Sequence, residues 1–227
     1  MKSISTLSLL SIFFITMCTG TVKAQELSFG IYAGAFNYQG DLVEGLIEIK
    51  ETQPAFGLFG KYLMFRDLAI SGNVFFGKIS GDDANSEELS MRGLSFESNL
   101  VEGAVTLEYH PIGQGRFNSR GDFLKSISPY VYAGVGFTFG EPEVTGFSQG
   151  AEDLNNTTTT RLGIPFGLGV QWTFNEKLYV ALEGGTRMIF DDYLDGVSIS
   201  GNPDANDWYV TAGLKVGFYL SGEPSMF

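Results

Sequence analysis

Over residues 161–174, RLGIPFGLGVQWTF, apolar and small positions alternate without a break. Leu162, Ile164, Phe166, Leu168, Val170 and Trp172 make one set; Gly163, Pro165, Gly167, Gly169, Gln171 and Thr173 make the other. In a strand, successive side chains point to opposite faces, so one face here is large and apolar and the other small or polar. The water-facing side of a soluble strand normally carries Lys, Glu and Arg, and this one carries glycines. Small residues suit a crowded barrel lumen, with the large residues turned out to lipid. Pro165 has no N–H for a ladder, so a bulge or locally broken pairing is expected beside it.

The same period recurs along the chain and predicts eight strands, over about 27–38, 54–63, 68–80, 95–109, 128–139, 161–174, 178–190 and 207–220. Phe59 interrupts the small face of the second strand. The connections alternate in kind. Long loops over 39–53, 81–94, 140–160 and 191–206 fall at one end. Connections over 64–67, 110–127 and 175–177 fall at the other, two of them short. An even strand number, strands of 10 to 15 residues and this asymmetry predict an all-β fold: an eight-stranded antiparallel transmembrane β-barrel of outer-membrane type. The long loops are then outside, and the turns and both termini in the periplasm. Tyr62, Tyr109, Phe139, Trp172 and Trp208 lie near strand ends on the outward face, where aromatic girdles belong. No apolar run of 18 residues follows the first two dozen, so no spanning helix is expected.

Charge sorts with this topology. The long loops hold sixteen acidic residues against Lys50 and Arg92. The turn end sets Arg66, Arg116, Arg120, Lys125 and Lys177 against Asp67, Asp122 and Glu176. The lumen-facing set carries Lys61, Arg187 and Lys215 with Glu102, Glu108 and Glu183, which balance. Eight strands leave an interior just filled by side chains, so these charges are expected to pair inside rather than line an open pore. Lys78 and Glu97 face outward near the outer strand ends, where the cost is small. A soluble barrel of the lipocalin kind is the competing architecture. It inverts every face and leaves an outer surface of glycines and tyrosines.

Composition adds three points. Glycine numbers 30 of 227, about twice the usual ~7%. Residues 1–24 read as a secretory signal, with Lys2 as the basic region, a short apolar run, and Val22-Lys23-Ala24 before the cut. Residues 25–227 form the barrel domain. Cys18 leaves with the signal, so neither a disulfide nor a thiolate metal site is expected in the mature chain. Met17 stands where lipid attachment to Cys18 would want a small residue. Losing Lys2 and Lys23 takes the net charge from −12 to −14, which argues against nucleic acid.

Candidate chemistry is sparse. Gly146-Phe147-Ser148-Gln149-Gly150 matches G-x-S-x-G, but that motif needs a strand-to-helix elbow and here falls in a loop. His110, the sole histidine, is expected at the opposite end of the barrel from Ser148, across an apolar band ~25 Å tall. A Ser–His pair needs hydrogen-bond reach. The acidic stretch 82–88 lacks the glycine of an EF-hand loop and reads as a solvated loop, or one that bridges cations weakly. No catalytic, cofactor-binding or metal site is expected. The connection 110–127 is long for a periplasmic turn. It carries Arg116, Phe117, Arg120, Phe123, Leu124 and Lys125, residue types enriched at interfaces, and is the candidate surface for a periplasmic partner.

The stretches GKISGDDANS (77–86), RGLSFESNLVE (92–102), SPYVYAGVGFTF (128–139), IPFGLGVQW (164–172) and FDDYLDGVS (190–198) resemble the PorG-like family of small outer-membrane barrels of Bacteroidetes. The resemblance covers essentially the whole mature chain. It implies a non-enzymatic barrel in the cell outer membrane, in contact with outer-membrane lipids. It further implies an anchor or scaffold role in type IX protein secretion, beside a periplasmic ring formed by a lipoprotein and its partner. The family has no recognised catalytic residues to carry over. A stand-alone surface barrel for adhesion or membrane integrity, with acidic cation-binding loops, is the alternative.

Overall fold

The computed structural model describes residues 27–39, 52–82, 95–145, 159–190 and 208–220. It contains strands β1 (Leu27–Gln39), β2 (Gln53–Leu63), β3 (Leu68–Asp82), β4 (Ser95–Tyr109), β5 (Ser126–Thr145), β6 (Thr159–Thr173), β7 (Leu178–Ile189) and β8 (Trp208–Tyr219). Each pairs antiparallel with its sequence neighbours, and β8 closes on β1. No helix among the described residues is long and apolar enough to cross a membrane. The signal segment, the G-x-S-x-G stretch and residues 83–88 of the acidic stretch lie outside the described residues.

The two faces of every strand part as the alternation predicts. Leu58, Leu168 and Leu182 stand about 60% exposed on the outer wall, whereas Phe36, Tyr209 and Gln171 are fully buried inside. All six charged lumen candidates are at most 5% exposed. A soluble barrel would need the reverse. Large apolar side chains form the outer wall, the lumen charges are enclosed, and closure leaves no sheet edge in the eight-stranded band. This is the one β architecture whose backbone is satisfied in hydrocarbon. The chain is an outer-membrane β-barrel.

At Pro165 the β5–β6 ladder is interrupted. Pairing runs to Ala133↔Phe166 and resumes at Gly136↔Gly163. Two residues are skipped on each strand, so this is broken pairing without a bulge. On its other side Pro165 still stands opposite Arg187.

β5 is 20 residues long, beyond the expected twelve. Its extra outer residues pair with the start of β4, from Gly140↔Leu100 to Thr145↔Ser95. Glu141-Pro142-Glu143 breaks the apolar alternation, which hid this strand from a pattern reading. β3, β4 and β5 thus continue for five rows past the last β2–β3 and β5–β6 pairs, Ala55↔Gly77 and Gly140↔Thr159. At ~3.4 Å per residue this three-stranded extension runs about 17 Å beyond the closed rim. Lys78 and Glu97 pair on its outer face, both half exposed.

Candidate functional site: a filled lumen and a capped mouth

The lumen is built from inward tyrosines, glycines and three ion pairs. The glycine excess has a steric cause: bulky inward rings lie over their neighbours. A Cβ on Gly217 would sit 2.1 Å from the Tyr179 ring, and one on Gly169 2.5 Å from that of Tyr130. Phe59, the exception on the small face of β2, lies over Gly30, where a Cβ would approach to 2.4 Å.

The six lumen charges come together as three pairs. Lys61 Nζ donates to Glu108 Oε2 at 3.1 Å and to Gln171 Oε1 at 2.6 Å. Lys215 Nζ donates to Glu183 Oε2 at 2.7 Å, and the Tyr130 hydroxyl donates to the same oxygen at 2.8 Å. Arg187 Nε donates to Glu102 Oε2 at 3.2 Å, and its Nη1 to the hydroxyls of Tyr132 and Thr211. The Tyr209 hydroxyl donates to Glu102 as well. Aromatic faces complete the cations' surroundings, with Lys61 Nζ 4.7 Å from the Tyr179 ring and Lys215 Nζ 5.2 Å from that of Phe59. Around Phe75, Tyr132 and Arg187 the residual space has no room for a water molecule. At this level the lumen is a packed core and not a channel. Arg161 is also buried inside, at 2% exposed. Its parity with Gly163 was the signal that could have placed it with the lumen set.

The connection between β4 and β5 is ordered around a cap. His110 N donates to Asp67 O at 2.7 Å and Gln114 N to Arg66 O at 2.9 Å, which ties the segment to the β2–β3 turn. Gly113 takes φ 74°, a value that favours glycine. Arg116 then turns inward. Its guanidinium lies 3.8 Å over the Tyr219 ring and donates to the carbonyl of Glu176. At 5% exposed it closes the mouth and offers nothing to a partner. This corrects its assignment to the periplasmic partner surface. Outside a strand there is no alternation from which its direction could be read.

Beyond Arg116 the chain makes a small hairpin. Phe117 and Phe123 form a bridge with their rings edge to face at 6.2 Å, and Leu124 N donates to Arg116 O at 2.7 Å. Asn118 Oδ1 accepts from the amides of Arg120 and Asp122 at 2.8 and 2.9 Å, and Gly121 takes φ 86°. Arg120, Leu124 and Lys125 are exposed, while Phe117 and Phe123 are partly covered by each other.

Under the cap lies a constellation that the sequence did not suggest. His110 Nδ1 is 2.9 Å from Ser128 Oγ, and its Nε2 is 3.6 Å from Glu108 Oε2. The imidazole stacks on Tyr130 at 4.8 Å. The residue types match a nucleophile, base and orienting acid, but the geometry does not. Ser128 Oγ donates to Gly113 O at 2.7 Å, so its proton points away from the imidazole, and it is 1% exposed. Burial pushes the His110 pKa below its ordinary range, against the pull of Glu108. Glu108 is already neutralised by Lys61, so burial prevails.

A family model described as "Domain of unknown function (DUF6089)" matches residues 7–227, and the chain belongs to that family. None of the curated proteins compared with the chain matches it. Among solved structures it is similar to Neisserial surface protein A, at 11% identity and a TM-score of 0.49, over 86% of this chain and 97% of that one. It is also similar to a major outer membrane protein from Thermus thermophilus, at 15% identity and 0.46, over 85% and 98%. A third is the attachment invasion locus protein Ail of Yersinia pestis, at 14% and 0.44, over 85% and 97%. The membrane assignment rests on the apolar wall and enclosed charges rather than on these likenesses.

Proposed function

We propose that this member of the family is a non-conducting, non-enzymatic anchor of the outer membrane that holds a periplasmic partner through its β4–β5 connection. The observation that carries this reading is the braced hairpin at the mouth. A filled lumen makes a poor channel, and the lipid-facing wall has no specificity of its own. The hairpin, by contrast, is fixed from inside by Arg116 and exposes Arg120, Leu124 and Lys125 at the rim. The resemblance of the chain's motifs to the PorG-like family names the setting: type IX secretion, with the periplasmic ring of a lipoprotein and its partner as the bound assembly.

The test must spare the cap. Replacing residues 118–122 by a two-residue Gly-Ser turn, with Leu124→Ser, removes Arg120 and Leu124, keeps Arg116 in place and spares Phe123. The barrel should still fold and insert, while co-purification of the ring and export of secreted cargo are lost. Normal secretion by this variant would refute the reading. A second reading, a surface barrel that meets an extracellular partner, is favoured by the β3–β4–β5 extension past the rim. Loss of function on trimming that extension, with the hairpin intact, would select it.

A further inference from the structure

A cleft of about 520 Å³ lies at the turn end of the barrel, between the β4–β5 connection and the β6–β7 turn. Its floor belongs to the lipid-facing wall. Leu178 and Phe218 are register partners of β7 and β8, both on the outward set, and Phe174 meets the outward Trp172 edge to face at 6.1 Å. Phe123 supplies the opposite apolar side. Lys125 and Lys177, both exposed, stand on the two segments that flank the cleft, and Glu176 is the single carboxylate among its lining residues. The chain thus presents an apolar hollow, continuous with the membrane wall, with net positive charge at its edge.

We propose that this cleft binds one anionic phospholipid of the periplasmic leaflet. Its phosphoryl headgroup is met by Lys125 and Lys177, and an acyl chain lies over Phe174, Leu178 and Phe218. Three observations select this occupant. The floor is continuous with the wall that already meets lipid. The end of the barrel that carries the short turns faces the periplasm, so the outward residues at this rim stand at headgroup depth. The charge is complementary to a phosphodiester, and a basic residue near an anionic surface contributes about fivefold in association. Unlike a flat wall, the hollow can discriminate one lipid from its neighbours.

The chain has two tryptophans, Trp172 beside the cleft and Trp208 on β8. Trp208→Phe leaves Trp172 as the sole reporter. The full barrel is reconstituted in phosphatidylcholine vesicles with increasing amounts of phosphatidylglycerol or phosphatidylcholine brominated on the acyl chains, and Trp172 fluorescence is followed. Brominated phosphatidylglycerol should associate about fivefold or more in preference. Lys125→Gln with Lys177→Gln should bring the ratio to about one, with heat-dependent gel mobility confirming a folded barrel. Equal quenching by both lipids overturns the proposal, and so does a preference that survives the double variant. Arg120→Glu, at the hairpin tip and outside the cleft lining, should leave the preference unchanged while weakening capture of a periplasmic protein. If instead the two lysine substitutions abolish protein capture and no lipid preference exists, the cleft is a protein site.

Discussion

Arg187→Ala probes the lumen most directly. The guanidinium holds Glu102 at 3.2 Å and two hydroxyls, and both charged groups are at most 3% exposed. At that separation, and at an effective dielectric of ~20, the pair attraction is roughly 5 kcal/mol before desolvation is subtracted. Removing the cation leaves a buried carboxylate supported only by the Tyr209 hydroxyl among these bonds. Breaking such a pair costs about 3–5 kcal/mol. On the scaling of soluble chains of this size, ~2–4 °C per kcal/mol, the unfolding midpoint falls by roughly 6–20 °C. The assay is the temperature at which the purified barrel loses its compact gel mobility. Lys177→Ala, in the exposed β6–β7 turn, is the control and should leave the midpoint within about 1 °C. Arg187→Met combined with Glu102→Gln should recover most of the loss, because no lone charge remains inside. Equal, negligible shifts for Arg187→Ala and Lys177→Ala would refute the enclosed-pair reasoning.

Three further outcomes are expected. Gly217→Ala forces a methyl against the Tyr179 ring and should destabilise by about 1–3 kcal/mol, whereas Gly72→Ala, whose added Cβ meets nothing within 4 Å, should be within ~0.5 kcal/mol of wild type in the same gel assay. His110 is buried among Glu108, Lys61, Ser128 and Tyr130, and its pKa is lowered. The unfolded chain therefore binds its proton first, and stability should fall as pH drops through about 6.5; His110→Gln should flatten the acid-side slope of the unfolding midpoint. In intact cells a cysteine at 82–88 or 191–195 should react with an impermeant thiol reagent and one at Asn175 should not; labelling at Asn175 alone would reverse the topology.

How much of this was legible in the chain differs between strands and connections. In the strands, period two ties each side chain's direction to its covalent neighbours. The outward wall, the inward tyrosines and glycines, and the membership of Lys61, Glu102, Glu108, Glu183, Arg187 and Lys215 in the lumen could therefore be read directly. Pro165 announced its gap on the β5 side because it has no N–H to give that ladder, although Pro129 and Pro142 keep their register partners. The last six residues of β5, 140–145, escaped because they lie past the apolar band, where alternation no longer has a membrane to answer to.

What only the closed barrel decided is which of these groups meet. Lys61 finds Gln171 from 110 residues away, and Arg187 finds Glu102 across 85. Those meetings depend on the tilt and stagger with which eight strands close, a property of the whole sheet that no single strand carries. The inward turn of Arg116, the Ser128–His110–Glu108 cluster and the cleft between Lys125 and Lys177 belong to the same class. They join a connection to residues far from it in the chain, and a connection has no period to declare its direction. Local alternation determined the two faces of the wall; closure of the barrel determined which distant groups meet within it.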